Sequence, residues 1–361
     1  MPRRHIFDTM NTINSKPGQN AAFIIAILLF IMLFVCEAEV REGTAAGLSV
    51  CAQAIIPSMF PMLILSSFIT QIRTPRIISK VLSVPVGILS GLSENTAKCF
   101  MLGGFCGYPV GVKTACALLR DGSISQEEAR RAALINVNPG AAFAVLVVGR
   151  NMFGSKEIGL RLYLSVTAAN LMISFALRCF HRTTIIKTNK RETGALPPSQ
   201  ALVQSVASAS TGIFSICAWI TTFFGFASPL QSSPAGAFLR PFLEVTAAAA
   251  SYAKTNAVPA CAFSLGFGGL CIMFQLLPEL KELGVSAGKY LAFRFAAGGI
   301  AFLLQHFTDR IFPSAAPVFS YIQPAQPRFS AFGASASLMF FCVVFMASIG
   351  SVTGAWAPTK K

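Results

Sequence analysis

Apolar segments long enough to cross a lipid bilayer recur along the whole chain. A transmembrane helix needs about 20 consecutive, mostly apolar residues, and several windows of this sequence reach that length. Only 12% of the 361 residues are charged, whereas soluble domains carry about 25%. The sequence therefore predicts an all-α polytopic membrane protein with about 8–11 transmembrane or re-entrant helices.

The basic residues lie mostly between the apolar segments and give a formal net charge of +15. Lysine and arginine in such positions set the orientation of membrane spans and attract acidic lipid headgroups. We therefore expect the lipid bilayer, and not nucleic acid, as the partner of these charges. The first apolar stretch, 21–36, is expected to be an uncleaved first span. The charged residues that follow it, 37–42, are expected to form an extracytoplasmic loop.

The remaining apolar segments fall into two sets of five. The first set covers about 45–72, 82–98, 99–120, 132–149 and 158–179, and the second about 201–229, 236–252, 256–277, 288–306 and 331–350. The predicted organisation is a tail with the first helix (1–44), a first repeat (45–180), a basic cytoplasmic linker (181–200), a second repeat (201–350) and a tail (351–361). An odd number of crossings in each set predicts an inverted repeat, the plan of many secondary transporters.

Helix-breaking residues interrupt several of these segments. The third segment of each set contains a Gly-Phe-x-Gly motif, at 104–107 and at 266–269, and these motifs are interpreted as copies. Glycine and proline at 103–111 predict a broken helical hairpin, although tight packing of small residues is the alternative. Breaks are also predicted at Pro57 and Pro61 and at the turn 136–140, after a helix that the capping box of Ser125 and Glu128 begins.

Polar residues near these breaks are the candidates for solute binding, because ionisable groups inside a membrane are costly and often functional. The alternatives are a snorkelling Lys113 or Arg294, an ion pair between Glu244 and Arg294, and an interhelical hydrogen bond of Gln275. The predicted substrate-binding residues are Gly104, Gly107, Tyr108, Pro109, Gly111, Lys113, Asn136, Asn138, Glu244, Thr246, Gln275 and Arg294.

Motifs of catalysis and of cofactor binding are not found in the sequence. The sequence has no Cys-x-x-Cys and no Cys/His pair at zinc spacing, and no His-Glu-x-x-His, Ser/His or paired-Asp arrangement is present. No phosphate-binding glycine loop of an NTPase occurs either. We therefore expect neither a catalytic residue, nor a metal, nor a cofactor.

Five motifs together resemble one protein family. They are Pro57-Ser58-Met59-Phe60-Pro61, the glycine-rich run 103–113, Asn138-Pro139-Gly140 with Phe143, Leu243-Glu244-Val245-Thr246, and the run 268–275. In this order they are similar to the sporulation integral membrane proteins of the YlbJ type, within the nucleoside-recognition or Gate domain group. The resemblance covers about residues 45–310, and its most specific element is Gly-Tyr-Pro-x-Gly at 107–111. The chain departs from the family at 247–249, Cys271 and Met273, where the family commonly has polar residues.

The resemblance implies a multi-pass protein of the bacterial cell membrane, in the mother-cell or outer forespore membrane of an endospore former. It implies a transporter or facilitator that moves a small organic anion, similar to dipicolinate, across the forespore envelope. Lys113 and Arg294 would then supply countercharge. The alternative function is a non-transporting scaffold that recruits other sporulation membrane proteins for spore cortex assembly, with the linker 181–200 as its contact surface.

Overall fold

The computed structural model of the protein describes residues 16–71, 87, 93–180, 197–230 and 234–312, and the regular elements in these ranges are all helices. Five helices of this part are long and apolar enough to cross a membrane. The predicted class, an all-α polytopic membrane protein, is therefore confirmed. The five spans are Glu37–Ile69, Lys156–Cys179, Pro198–Leu230, Val258–Glu282 and Ala287–Ile311.

Thirteen α-helices are formed by the described residues. They are α1 (Lys16–Val35), α2 (Glu37–Val50), α3 (Ile56–Gln71), α4 (Glu94–Cys106), α5 (Tyr108–Arg120), α6 (Gln126–Ile135), α7 (Lys156–Phe180), α8 (Pro198–Ala227), α9 (Pro234–Leu243), α10 (Val245–Lys254), α11 (Val258–Phe267), α12 (Gly269–Glu282) and α13 (Ala287–Ile311). Two π-helical stretches, Cys51–Ile55 and Phe143–Met152, and a 3₁₀ turn, Ser228–Leu230, complete the set.

The charged residues after the first apolar helix do not form a loop, as the sequence predicted, but open the long helix that starts at Glu37. Gly43 and Gly47 lie one turn apart on this helix and face α8. A Cβ atom added at Gly47 would stand 3.0 Å from both Thr221 and Phe224. Because the two glycines let the helices approach closely, α2 forms despite its charges. The boundary predicted at residue 44 lies within α2.

The long helix also continues through Pro57 and Pro61, so the interruption predicted there is wrong. The π-helical stretch Cys51–Ile55 lies immediately before them. The hydroxyl of Ser58 donates a hydrogen bond of 2.6 Å to the carbonyl oxygen of Ala54. Hydroxyl side chains and local widening of a helix satisfy backbone groups near proline, which explains why the span stays intact.

Each half of the described chain has the same order of elements. A 33-residue span, Glu37–Ile69 or Pro198–Leu230, comes first. Two interrupted elements follow, with breaks after Cys106 and Ile135 in the first half and after Leu243 and Phe267 in the second. A 25-residue helix, α7 or α13, ends each half.

Corresponding long helices of the two halves run antiparallel. At one end of the first pair Gly43 lies against Phe224 and Ser228, and at the other the Gln71 amide donates to the Ser205 hydroxyl. In the second pair, the Ser165 hydroxyl donates to Gln305 at 3.0 Å. This is the geometry expected of two halves inserted in opposite directions.

The two Gly-Phe-x-Gly motifs do not occupy corresponding places. After Gly107 the chain folds back and forms a hairpin. Its two arms are in close contact, since a Cβ atom added at Gly103 would lie 2.9 Å from the Cα of Gly111 in the other arm. Asn95 also donates a hydrogen bond of 3.3 Å to the carbonyl oxygen of Ser123, which joins the two ends of the hairpin. The second motif instead kinks the continuous span Val258–Glu282. In element order, the counterpart of Gly107 is Glu244.

Several predicted segments lie outside the described residues. They include most of the segment 82–98, the linker up to residue 196, the last apolar segment 331–350 and the tail 351–361. The final residues of the predicted linker belong to α8, which begins at Pro198.

Candidate functional site

The breaks of the first half meet each other inside the protein. Gly107, at the tip of the α4–α5 hairpin, has a φ angle of +107°, a conformation that favours glycine. A Cβ atom added at Gly140 would lie 3.2 Å from the Cα of Gly107. The tip of the hairpin and the interrupted segment 136–140 therefore pack backbone against backbone.

The breaks of the second half meet in the same way. Gly268 and Gly269 both have positive φ angles, of 84° and 78°. A Cβ added at Gly269 would lie 3.1 Å from the carbonyl oxygen of Leu243 and 3.5 Å from the Cα of Glu244. The kink between α11 and α12 is thus seated against the break between α9 and α10.

Tyr108 connects the two pairs of breaks. Its hydroxyl donates a hydrogen bond of 2.8 Å to the carbonyl oxygen of Leu265, in the last turn of α11. The side chain is buried, with 5% of its surface exposed. Tyr108 therefore brings the hairpin of the first half against the kinked span of the second.

A small, partly open cavity lies where these elements converge. Most of its lining is apolar, and Glu244 is the only lining residue with an acidic or basic side chain. The lining residues are Ile55, Met59, Tyr108, Pro109, Gly140, Phe143, Ile216, Ile220, Glu244, Val245, Thr246, Cys271, Ile272 and Gln275. Pockets for small molecules have this mixture of apolar walls with a few polar groups.

Four helical segments begin at this cavity. Tyr108 and Pro109 open α5, Gly140 precedes the helical turn that leads into Phe143–Met152, Val245 and Thr246 open α10, and Cys271 lies in the first turn of α12. The first amide groups of a helix lack intrahelical acceptors, and the helix dipole places partial positive charge there. These helix starts therefore offer backbone amides that favour an anion, and no lysine or arginine is among the lining residues.

Glu244 is buried at the start of α10, with 2% of its surface exposed. Its carboxyl oxygen accepts a hydrogen bond of 2.6 Å from the backbone amide of Ala247, so the side chain is the N-cap of this helix. Its backbone is extended, with φ −145° and ψ 126°, which separates α9 from α10. Glu244 thus has a structural role as a cap and also presents a carboxyl group to the cavity.

Gln275 is the second polar side chain of interest. It is 8% exposed, and its amide nitrogen Nε2 has no hydrogen-bond partner among the described residues. A buried donor left unpaired costs free energy. Because this nitrogen belongs to a residue that lines the cavity, a bound molecule with an oxygen acceptor would satisfy it.

Five of the predicted binding residues line the cavity together, and the others do not. The five are Tyr108, Pro109, Glu244, Thr246 and Gln275. Gly107 lies next to lining residues Met59 and Gly140, whereas Gly104 faces Tyr163. The amide of Asn136 is wedged against Gly103 and Gly111, in the packing of the hairpin.

The two predicted countercharges lie outside the cavity lining. Lys113 is half-exposed and is 3.9 Å from the carboxylate of Glu279. Arg294 is fully buried and donates hydrogen bonds to Leu134, Val137 and Asn170, and Asn170 in turn donates to Asn138. The ion pair between Arg294 and Glu244 that the sequence left open does not form. Neither cation is placed to contact a solute in this cavity.

The apolar walls were missed by the sequence analysis. Ile55, Met59, Ile216 and Ile220 come from the two 33-residue spans, and Phe143 follows the break at 136–140. Apolar residues are so common in membrane helices that their identity alone carries no signal for a binding site. Only the antiparallel pairing of the spans places these four side chains around one space.

Comparisons with protein families, with curated proteins and with solved structures find no match for this chain.

Proposed function

We propose that the protein is a membrane transporter or facilitator for a small organic anion. The observation that carries the proposal is the cavity at which four helical segments begin. Interrupted helices near the middle of a membrane, with their N-termini directed at an anionic group, are the usual construction of a transporter binding site. Backbone that is not regular helix is tolerated at such depth where it is buried in protein or lines a cavity.

The lining favours a molecule with an acidic group on a flat, apolar body. The helix N-termini favour negative charge, the unpaired Nε2 of Gln275 favours an oxygen acceptor, and isoleucine, methionine and phenylalanine side chains favour a ring. Dipicolinate, which the family resemblance implies, belongs to this class.

Glu244 adds a condition on the charge of the solute. A fully ionised diacid beside this carboxylate would be repelled, because like charges at short distance in a dry site disfavour each other's ionised form. We propose that the solute enters together with a proton, which is held by the solute or by Glu244. The protein would then accumulate solute on the side to which protons move.

The same resemblance supports a place for the protein in the cell membrane of an endospore-forming bacterium, with the forespore envelope as the barrier crossed. Five candidate spans fit a multi-pass protein of such a membrane. The scaffold function remains the competitor, and it needs no solute-binding cavity.

The test is uptake of labelled dipicolinate by vesicles that contain the purified protein. We expect saturable uptake that exceeds that of protein-free vesicles, and a labelled nucleoside serves as the control for specificity. Preferential uptake of the nucleoside would show that the transported solute is a nucleoside and not an organic anion. A melting curve shows whether the protein in the vesicles is folded. If it is folded and uptake is no greater than in protein-free vesicles, the result contradicts transport and favours the scaffold.

A further inference from the structure

Arg294, in the second half, is a fully buried cation that donates hydrogen bonds to backbone at the break of the first half. It lies about two turns into α13 and has no exposed surface. Its guanidinium donates to the carbonyl oxygens of Leu134 at 2.5 Å and Val137 at 2.8 Å, and to the side-chain oxygen of Asn170 at 2.9 Å.

None of these acceptors carries a formal charge. Among the described residues, no carboxylate forms an ion pair with Arg294. A buried guanidinium without a compensating partner would be strongly destabilising. Its partner here is the C-terminus of α6, which ends at Ile135 and whose last carbonyl groups carry partial negative charge.

Asn170 fixes the geometry of this contact. Its amide nitrogen donates to the side-chain oxygen of Asn138 at 2.7 Å and to the carbonyl oxygen of Val137 at 3.3 Å, while its oxygen accepts from Arg294. All three residues are fully buried. The carbonyl groups released by the break are therefore turned towards one positive group and held there.

Carbonyl groups at the C-terminal ends of half-helices are the ligands that hold a sodium ion in many transporters with interrupted helices. In this protein the guanidinium occupies that position. We propose that Arg294 is a tethered cation that replaces a bound sodium ion at the break 136–140. The break is then stable without Na⁺, and, on the proposed function, solute uptake proceeds without Na⁺.

The position of Gly140 connects this contact to the cavity. Gly140 ends the break and lines the cavity, and it packs against Gly107 at the tip of the hairpin. Arg294 itself is not among the lining residues. It is therefore a positioning residue, which acts through the backbone of the segment 136–140.

The experiment measures the melting temperature of the purified full-length protein in NaCl, KCl and choline chloride of equal ionic strength. We expect the wild-type protein to melt at the same temperature in all three salts. Arg294→Ala is expected to melt at least about 5 °C lower. Arg310→Ala, which removes an exposed arginine from the last turn of the same helix, is the matched control and is expected to melt like the wild type.

Chemical rescue separates a tethered cation from a side chain that only fills space. Millimolar guanidinium chloride should raise the melting temperature of Arg294→Ala and of no other variant, whereas urea, which is neutral and of similar shape, should not. Should the alanine variant fail to fold, Arg294→Lys and Arg294→Gln replace it. The lysine variant, which keeps the charge, is expected to melt above the glutamine variant.

Three results would overturn the inference. They are a wild-type melting temperature that rises in Na⁺ alone, an Arg294→Ala protein as stable as the wild type or unresponsive to guanidinium, and a lysine variant that melts no higher than the glutamine variant. In vesicles, uptake that is lost when choline replaces Na⁺ would also contradict it, although transport itself would stand. If no uptake occurs at all, the melting experiments still decide the role of Arg294.

Discussion

The hydroxyl of Tyr108 donates a 2.8 Å hydrogen bond to the carbonyl oxygen of Leu265, and this bond joins the hairpin of one half to the kinked span of the other. Arg294 makes the reciprocal connection, from the second half to the carbonyl groups of Leu134 and Val137 in the first. Each half thus satisfies backbone groups at a break of the other half. Of these residues, Tyr108 lines the cavity.

Replacing Tyr108 by phenylalanine removes one of the two contacts while it keeps the ring. A buried carbonyl that loses its donor costs about 1–3 kcal/mol, so we expect Tyr108→Phe to have a lower melting temperature and a lower rate of uptake. Ser210→Ala is the control, because its hydroxyl bonds only to Val206 of its own helix. Equal melting temperatures for the two variants would show that the contact between the halves contributes no stability.

Gln275→Leu should weaken solute binding without weakening the fold. The amide nitrogen has no partner among the described residues, so its removal is expected to leave the melting temperature unchanged or to raise it slightly. Uptake, however, should need a several-fold higher solute concentration for half-saturation. Gln305→Leu is the contrast, since Gln305 bonds to Ser165 and Asp309 and its loss should lower stability. A Gln275→Leu protein with unchanged half-saturation would remove Gln275 from the site.

Glu244→Gln should separate the role of Glu244 as a helix cap from its role as a charge. The glutamine oxygen can still accept the hydrogen bond from Ala247, so we expect a melting temperature close to that of the wild type. Glu244→Ala, which also removes the cap, should cost about 1 kcal/mol.

The pH dependence of uptake is the measurement for this residue. Wild-type uptake should rise as the external pH falls towards the acidic range, because the proposed mechanism moves a proton with the solute. Glu244→Gln should flatten this dependence, whereas Glu157→Gln, at an exposed position, should not. An unchanged pH profile in Glu244→Gln would exclude Glu244 as the proton carrier.

Gly140→Ala tests the contact between the break and the hairpin tip. The added methyl group would lie 3.2 Å from backbone atoms of Cys106 and Gly107, so the tip must shift and both stability and uptake should fall. Gly299→Ala is the matched control, because a Cβ at Gly299 meets no atom within 4 Å. In that helical position alanine should stabilise by about 0.5–1 kcal/mol. Similar melting curves for the two variants would contradict the close packing at Gly140.

The ion pair between Arg120 and Glu282 can be used to test whether the two halves move relative to each other during transport. The guanidinium of Arg120 makes two hydrogen bonds to the carboxylate of Glu282, at the ends of α5 and α12. Exposed ion pairs contribute little to stability, so Arg120→Glu should leave the melting temperature nearly unchanged. It should nevertheless alter the rate of uptake if the two helix ends separate during transport, and Arg120→Glu with Glu282→Arg should restore that rate. An unchanged rate of uptake in Arg120→Glu would show that this ion pair does not limit the movement between the halves.

Local signals in the sequence were sufficient for some breaks and caps. Ser125 accepts from the amide of Glu128 and begins α6, as predicted, because a capping residue acts on its own turn. The carboxylate of Glu128 accepts instead from the backbone amide of Ser93, the N-cap of α4, and from the hydroxyl of Thr96 in its first turn. The break at 136–140 was also predicted correctly, since asparagine, proline and glycine in succession cannot continue a helix.

Features that depend on distant partners were not predictable in the same way. The two Gly-Phe-x-Gly motifs have nearly the same residues, yet one folds back and the other kinks, because only the first has Gly111 and Asn136 to pack against. Arg294 was singled out because an ionisable group is costly inside a membrane. Its partners lie on α6, in the break that follows it and on α7, so no spacing within the sequence could show that it serves the backbone and not a solute.

The reciprocal contacts between the halves have a consequence for biosynthesis. The break at 136–140 is synthesised well before Arg294, so the carbonyl group of Val137 has no guanidinium donor until 157 more residues have been made. Until then water or a membrane-insertion factor has to shield this carbonyl group. A chain truncated before α13 should therefore be recognised as unfinished and degraded, even though every helix of its first half is complete.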